Sequence, residues 1–378
     1  CMLGDAFSFG FDVLALLTED NKNQTAAELL RNCDAHWSQN NTKQPVKTCL
    51  CEDAGADMDA GTDTDAGADT DAGTDTDAGA DTDAGADANA DMDAAGAALS
   101  VTESDRYLDI HTDHFFYRYN KLTGLFDEMN HQNRTLLEAP MVYNIWRAPT
   151  DNDRNIKQEW MRAGYDHSYS RCYCTKWHEE NGQIIIESRL SMVADIMQKL
   201  MEMDARWIVD ASGTVDVSLT VRKNSELPPL PRFGIRMFLP KEMDRVAYCG
   251  IGPNESYCDK RRASWYGRFN SKACDLHEDY IRPQENGSHD GCDYVILESA
   301  EKQLTAVSET PFSFNASVYT QEELTRCAHN YELSPSGHTV LCLDYKQAGI
   351  GSNSCGPVLA DKYQIEDEFT FNIRLLIK

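Results

Sequence analysis

The sequence predicts an all-β protein whose globular part is one large antiparallel sandwich. Three observations carry this prediction: apolar residues alternate with polar ones, turn residues separate the alternating stretches, and helical periodicity is nearly absent. Many strands with almost no helix favour packed sheets, because a half-apolar sheet must bury one face against another layer. The chain has 378 residues, enough for one large all-β unit beside shorter segments.

The first 98 residues form two segments that differ from the rest of the chain. Residues 1–52 are mixed in composition and remain unassigned, with one candidate helix at 23–37. Residues 53–98 repeat a six-residue unit such as DAGADT, in which large apolar side chains are almost absent. Such a tract cannot bury enough surface to offset the entropy of ordering, so we predict a disordered acidic linker. Calcium-binding repeats carry an apolar residue in each turn, which disfavours that alternative.

The globular unit is predicted to span residues 99–378. Alternation with a period of two residues is clearest at 214–221, 312–318 and 369–377. Turn signals lie between the strands, as NKLTG at 120–124, ENG at 180–182, ASG at 211–213 and SPSG at 334–337. One short helix is predicted at 320–329, with Thr320 as its N-cap and Glu323 at the capping-box position.

Charge and cysteine content limit the partners and the compartment. The net charge is −27, and fourteen aspartates at 53–93 account for about half of it. A charge of this sign disfavours nucleic acid and anionic membranes as partners, and no apolar run reaches the ~18 residues that a membrane span needs. Thirteen scattered cysteines without a C-x-x-C pair predict free thiols and a cytoplasmic location.

A glycine-rich loop near the C-terminus, GIGSNSCGP at 349–357, raises two functional possibilities. A phosphate loop is disfavoured, because the third glycine of G-x-G-x-x-G is absent and no helical pattern follows Pro357. A nucleophilic cysteine needs a neighbouring base, and the sequence places neither His329 nor His338 beside Cys355. We interpret the stretch as a small polar loop.

Two carboxylate pairs match the residue types that glycoside hydrolysis requires. Asp151 and Asp153 lie in RAPTDNDR, and Glu255 and Asp259 lie in GPNESYCD. Aspartates two residues apart after a proline are common in turns, where they accept backbone N–H groups. The residue chemistry alone therefore favours a structural interpretation of Asp151 and Asp153.

Four motifs in order along the chain carry a resemblance to a known family. They are NIWRAPTDNDR (144–154), GIGPNESYCDKRRASWYGRF (250–269), YIRPQENGSHDGCDY (280–294) and GIGSNSCGP (349–357). Together they resemble the C-terminal β-sandwich domain of the large bacterial β-galactosidases of glycoside hydrolase family 2. That domain is also the small subunit of the two-chain enzymes. The resemblance covers residues 99–378 and implies a galactose mutarotase-like super-sandwich.

The resemblance implies hydrolysis of terminal β-galactosides with retention of configuration. In the family, the catalytic glutamates and the magnesium and sodium ligands lie in another part of the protein, which contains a TIM barrel. Because those motifs are missing from this sequence, we expect no catalytic residue and no bound cofactor or metal here. We also expect the chain alone to lack glycosidase activity. The expected partners are a β-galactosidase large (TIM-barrel) chain and the galactoside, within an oligomer.

The resemblance also implies two places where this chain contacts substrate. One residue of the GIG…GP loop reaches the galactose pocket in the family, where well-known members carry tryptophan as an aromatic platform. The matching position is Cys355, with Asn353 and Ser354 beside it. The second place is the loop after the RAPTDND motif, which closes near the bound sugar in relatives. Arg154 and Asn155 are its candidate residues, in a loop that is shorter here than in the best-known member.

The remaining motif residues are predicted to be structural. Arg147, Asp151 and Asp153 are expected to hold the turn that RAPTDND forms. Glu255 is similar in type to a catalytic acid, but the family's catalytic pair does not lie in its motif. We therefore predict that Glu255 supports the fold.

Two alternatives remain open from the sequence. The first is a stand-alone carbohydrate-binding or mutarotase-like protein, which as a mutarotase would need His and Glu side chains together in a groove. The second is a non-functional gene fragment, which would account for the Cys1 start, for a segment at 1–52 without an identified counterpart, and for the slippage-like repeat that follows it.

Overall fold

The computed structural model describes residues 99–351 and 355–378. The predictions for 1–52 and 53–98, and those for Asn353 and Ser354, lie outside these residues. The described part contains seventeen strands and two α-helices. The strands are β1 (Ser100–Glu103), β2 (Tyr107–His111), β3 (Phe115–Asn120), β4 (Leu125–His131), β5 (Arg134–Thr135), β6 (Ala139–Asn144), β7 (Tyr169–Glu180), β8 (Gln183–Val193), β9 (Met201–Asp210), β10 (Val215–Lys223), β11 (Arg232–Pro240), β12 (Arg245–Gly252), β13 (Trp265–Lys272), β14 (Ser288–Glu298), β15 (Gln303–Ser317), β16 (His338–Gln347) and β17 (Glu368–Ile377). The helices are α1 (Ile156–Ala163) and α2 (Gln321–Arg326).

A five-stranded sheet contains β1 to β5 in chain order, each strand antiparallel to the next. The predicted turn NKLTG joins β3 to β4 and ends at Gly124, whose φ of 75° is a left-handed conformation that favours glycine. The inner face of this sheet is apolar and fully buried at Leu108, Tyr117 and Tyr119. This sheet therefore has one apolar face that is buried by packing against another layer.

A twelve-stranded antiparallel sheet forms the second layer. Its main path runs β13-β12-β14-β15-β17-β10-β9-β8-β7, and β16, β11 and β6 continue from β15. Two other predicted turns are present, between β7 and β8 and between β9 and β10, and SPSG is an irregular segment with a bend at Gly337 before β16. Each has glycine at positive φ, in Gly182 (73°), Gly213 (84°) and Gly337 (84°).

Alternation along β10 and β17 is as predicted. Every second residue from Val215 to Val221 is at most 3% exposed, and every second residue from Phe369 to Ile377 is at most 9% exposed. The two strands are hydrogen-bonded neighbours, with Val217 paired to Ile373, so their apolar residues share one face.

The two sheets pack face to face around Trp207 of β9. This side chain is fully buried. Its ring packs edge to face with two rings of the five-stranded sheet, at centroid distances of 5.3 Å to Phe126 and 6.3 Å to Tyr119. The apolar residues of both sheets belong to one continuous core. This arrangement confirms the predicted all-β sandwich.

Strand β15 differs from the prediction at its C-terminal half. The alternation in 312–318 predicted one core face and one polar, exposed face. Instead both faces are buried, and the polar residues reach buried hydrogen-bond partners. Ser313 donates to Asp290 (3.1 Å), and Asn315 donates to the Asn286 carbonyl (2.6 Å). Hydrogen bonding offsets the cost of burying these side chains.

The prediction of helix α2 was correct in place but too long. Thr320 caps it by accepting from the Glu323 N–H (3.2 Å), as predicted. The helix ends at Arg326 rather than at 329, since Cys327 is extended and the N–H groups of Ala328 and His329 after it donate to the Glu332 carboxylate (2.8 and 3.2 Å).

Helix α1 was not predicted, since 154–160 was interpreted as a loop. Its apolar residues Ile156, Trp160 and Ala163 lie on one face of the helix. Trp160 and Ala163 are buried. The helix ends at Gly164 with φ 80°, a common helix terminus. Within the described ranges, no helix has the length and apolar character needed to cross a membrane.

Candidate functional site

Arg147 ties the segment after β6 to the first residues of the glycine-rich loop, which we call the loop base (residues 348–351). Its guanidinium is 1% exposed and forms a bidentate pair with Asp153 (2.7 and 3.1 Å). The same group donates to the carbonyls of Ala348 (2.6 Å) and Gly349 (3.2 Å). The guanidinium also lies over the Trp160 ring of α1, 5.3 Å from its centroid. One side chain thus joins two of the four sequence motifs.

Asp151 and Asp153 lie in different environments although they are two residues apart. Asp153 is buried and also accepts from the Thr150 N–H (2.9 Å) and hydroxyl (3.1 Å). Asp151 is exposed, and its N–H donates to Gln284 (2.9 Å) of the third motif. These contacts hold the turn and fit the predicted structural roles.

Asp259 holds the loop base from the second motif. Its carboxylate accepts from the N–H groups of Ile350 (3.0 Å) and Gly351 (2.8 Å), one on each oxygen. The Asn152 amide donates to the Ile350 carbonyl (2.7 Å) from the other side. A Cβ on Gly349 would lie 2.5 Å from the Asp259 carboxylate, so glycine is required by the close approach.

The predicted substrate residues lie at the surface. Cys355 is exposed and follows the loop base by four residues. Arg154 and Asn155 are also exposed and directly precede α1, in a short helical turn rather than a loop. Contact of these three residues with a sugar stays a prediction.

Glu255 is buried and its oxygens are fully engaged. One oxygen accepts from Lys260 and from the Tyr280 hydroxyl (2.6 Å), and the other accepts from Tyr257 (3.2 Å) and the Gly287 N–H (3.0 Å). Burial alone would raise the pKa of Glu255, but the hydrogen bonds from Lys260 and Tyr280 outweigh it and lower that pKa. A general acid needs the opposite shift. The environment therefore suits a structural carboxylate.

A buried triad behind the loop was not predicted from the sequence. Arg232 of β11 is fully buried and pairs with Asp344 of β16 and with Glu285 (2.8 Å). Glu285 also accepts from the Ala148 N–H (3.2 Å), which links the third motif to the first. Burial raises the pKa of both Glu285 and Asp344, although Arg232 acts against it. A charged residue within an apolar strand, such as the arginine in PRFGI, was the sequence feature that could have indicated a buried ion pair.

Five carboxylates are buried in the described part of the chain, and each contacts a cation. The pairs are Asp153–Arg147, Glu255–Lys260, Glu285–Arg232, Asp290–Arg261 and Asp344–Arg232. Burying a charge without a partner is costly, so such pairs are expected of structural carboxylates. Three of the four sequence motifs contribute residues to these pairs, and the first and second motifs hold the loop base next to the fourth.

Comparison with known proteins identifies the family. Residues 111–375 match the family described as the beta galactosidase small chain. The chain belongs to this family.

Curated relatives of this small-chain sequence are β-galactosidases. One from Actinobacillus pleuropneumoniae is 40% identical over 281 residues, covering 74% of this chain and 28% of that protein. Another, from Staphylococcus xylosus, is 34% identical over 280 residues, covering 73% and 28%. The chain thus spans between a quarter and a third of the length of these relatives.

Some solved structures also align with the small-chain sandwich. A galactose 1-epimerase from Lactobacillus acidophilus aligns with 74% of this chain and 98% of its own, at 9% identity and a TM-score of 0.42. A putative aldose 1-epimerase from Escherichia coli K12 aligns with 74% and 99%, at 8% identity and a TM-score of 0.38. A likeness this weak supports no statement about function.

One further surface groove bears on the alternative functions. A groove of about 480 Å³ is lined by Tyr173 and by charged side chains of β8 to β10, and its Glu202 is paired with Lys199 (2.5 Å). Its lining, as far as the structure describes it, includes no histidine. No group of three or more metal-ligating side chains is assembled among the described residues.

Proposed function

We propose that this chain is the C-terminal sandwich portion, or small subunit, of a β-galactosidase that hydrolyses terminal β-D-galactosides. In this proposal it completes the active site of a TIM-barrel chain, and the magnesium and sodium ligands belong to that barrel portion. Membership of the small-chain family supports the proposal. So does the length of the curated β-galactosidases, of which this chain corresponds to 28%.

The single observation that carries the proposal is the convergence of family motifs on the loop base. Arg147 and Asn152 from the first motif and Asp259 from the second hold the backbone of residues 348–351. So many buried or charge-assisted bonds to a few backbone groups fix a short segment firmly. A fixed loop base suits a segment that must reach a neighbouring pocket with defined geometry.

We further infer that the chain supplies no catalytic carboxylate. A retaining glycosidase needs two carboxyl groups about 5 Å apart around one sugar, one of them with a raised pKa. Each buried carboxylate of the described residues is instead paired with a cation, and the pKa of Glu255 is lowered. These environments support the expectation that the glutamates of the reaction come from the barrel portion.

Cys355 is the residue through which we propose that this chain meets the sugar. Its side chain is exposed and stands at the position where well-known relatives carry tryptophan. A thiol offers no aromatic face for stacking, so this enzyme would hold the aglycone less tightly than a tryptophan-bearing relative.

The test uses the reconstituted enzyme, made from this chain and the barrel chain encoded in the same genome. Cys355→Trp is expected to lower KM for an aryl β-galactoside by ~2–10-fold and to raise the ratio of transfer to hydrolysis. Cys174→Trp, at an exposed cysteine on β7, is the matched control and should change neither quantity. An unchanged KM and an unchanged ratio in the Cys355 variant would count against contact between this loop and the aglycone.

A further inference from the structure

We propose that Asp259 is a positioning residue, which fixes the loop base and thereby sets where Cys355 stands. The effect on the loop base follows from the geometry of this chain alone. The effect on substrate rests on the proposed function. Neither the sequence motifs nor the family assignment gives Asp259 this role, because in the sequence it is only the second carboxylate of GPNESYCD.

The carboxylate of Asp259 binds two consecutive N–H groups. Oδ1 accepts from Ile350 (3.0 Å) and Oδ2 accepts from Gly351 (2.8 Å). Successive N–H groups that converge on one anion form a concave site, and hydrogen bonds to a charged acceptor are stronger than neutral ones. The peptide planes on either side of Ile350 are therefore held together by a single side chain.

Contact between Asp259 and the loop base also explains both glycines of the GIG motif. A Cβ on Gly349 would lie 2.5 Å from Asp259 Oδ2 and 2.9 Å from Leu359 Cδ1. A Cβ on Gly351 would lie 2.8 Å from the same Oδ2. The carboxylate thus packs directly against the backbone, with Leu359 of the returning chain on the far side. Asp259 is therefore in direct contact with the loop base as well as hydrogen-bonded to it.

Asp259 itself is held in place by a tight turn. Tyr257 and Lys260 exchange backbone hydrogen bonds (3.0 and 2.9 Å), which places Asp259 inside a two-residue turn. Lys260 is in turn paired with the buried Glu255. Cys258 donates to the carbonyls of Gln347 (3.5 Å) and Tyr363 (3.6 Å), which flank the loop. These contacts fasten the turn that carries Asp259.

The position of Cys355 follows from this support. Cys355 lies four positions after Gly351, so the place where the loop base holds Gly351 limits the cysteine Cα to within ~14 Å of it. On the opposite side, Asn152 donates to the Ile350 carbonyl (2.7 Å), and Arg147 donates to the two carbonyls before it. Those bonds fix carbonyl groups only. Asp259 is the residue that fixes the N–H groups at 350 and 351.

The first experiment measures amide hydrogen exchange in the full chain. Asp259→Asn keeps the size of the side chain but replaces one acceptor oxygen with an NH₂ group. The amides of Ile350 and Gly351 should exchange at least ~10-fold faster in this variant, while the exchange rates of amides in β10 and β17 stay the same. Asp105→Asn, at an exposed aspartate remote in sequence from the loop, is the matched control. Unchanged exchange at 350 and 351, or faster exchange throughout the chain, would overturn the proposal.

The second experiment measures kinetics in the reconstituted two-chain enzyme. Asp259→Asn should raise KM for an aryl β-galactoside by ~3–10-fold and leave kcat within about twofold, because the loop affects binding more than bond cleavage. An unchanged KM, despite faster exchange at 350 and 351, would overturn the link from Asp259 to substrate. If the wild-type mixture is inactive while the barrel chain is competent, the proposed function fails instead. The exchange experiment then still decides whether Asp259 fixes the loop base.

Discussion

Replacing Arg147 with methionine should be among the most damaging single changes to this chain. Methionine keeps an unbranched apolar stem but lacks the guanidinium, so the contact with the Trp160 ring is lost together with the charge. The change leaves the buried Asp153 without its cation and removes the donor to the carbonyls of Ala348 and Gly349. Breaking one side of a buried ion pair costs about 3–5 kcal/mol.

We expect the free energy of unfolding to fall by about 4 kcal/mol in Arg147→Met, near the middle of that range. Asp153 still accepts from the Thr150 N–H and hydroxyl, which limits the loss. Arg189→Met is the matched control, because Arg189 is 77% exposed and lies 3.6 Å from Asp204. An exposed pair of this kind contributes less than about 1 kcal/mol.

Urea unfolding of the full chain, followed by tryptophan fluorescence and circular dichroism, gives both values. A double-mutant cycle with Asp153→Asn should give a coupling energy of about 2 kcal/mol between Arg147 and Asp153. The reasoning is refuted if Arg147→Met costs no more than Arg189→Met, or if the two changes at 147 and 153 are simply additive.

Three further predictions concern pH and close packing. Because the pKa of Glu255 is lowered, this carboxylate stabilises the fold above its ordinary pKa near 4.5, and that stabilisation is lost as pH falls. Glu255→Gln should therefore lower the free energy of unfolding by about 2 kcal/mol at pH 7 and by less at pH 4. Equal losses at both pH values would contradict this. Burial lowers the pKa of His289 to about 4, so the unfolded chain binds a proton that the folded one excludes between about pH 6.5 and 4. In urea titrations the free energy of unfolding of wild type should fall by about 1.6 kcal/mol more than that of His289→Phe between pH 6.5 and 5, and parallel losses would argue against this. Gly234→Ala should lower the free energy of unfolding by about 3 kcal/mol, since the new Cβ would collide with the Leu343 carbonyl. Gly356→Ala is the control, because its Cβ would have no atom within 4 Å and its stability should equal that of wild type. A similar loss of stability in both variants would refute the prediction.

Strand pattern carried most of the fold prediction. In β10 and β17 the period of two could be recognised because one face meets the core and the other meets water. In β15 the same pattern misled at Ser313 and Asn315, because sequence alone does not tell a solvent-facing serine from one bonded to a buried aspartate. Helix α1 was missed although Ile156, Trp160 and Ala163 have helical spacing. The run is only eight residues long, and a loop after the motif was expected from the resemblance.

The candidate site was only partly accessible from sequence. The motifs located Arg147, Asp153 and Glu255, but their partners depend on how distant segments meet. Asp259 and the loop base are about ninety residues apart in the chain, and only the folded sandwich brings them into contact. The pairing of Arg232 with Asp344 depends on the register of β11 and β16, which no local pattern specifies.

Reconstitution is the most direct test of the proposed function. This chain and the barrel chain from the same genome are purified separately, then assayed alone and mixed with an aryl β-galactoside. We predict no hydrolysis by this chain alone, little by the barrel chain, and a large gain on mixing that saturates at a fixed ratio. The contacts should bury well over ~1,000 Å² and give one stable complex by size-exclusion chromatography. Hydrolysis by this chain unaided, or full activity of the barrel chain without it, would contradict the proposal.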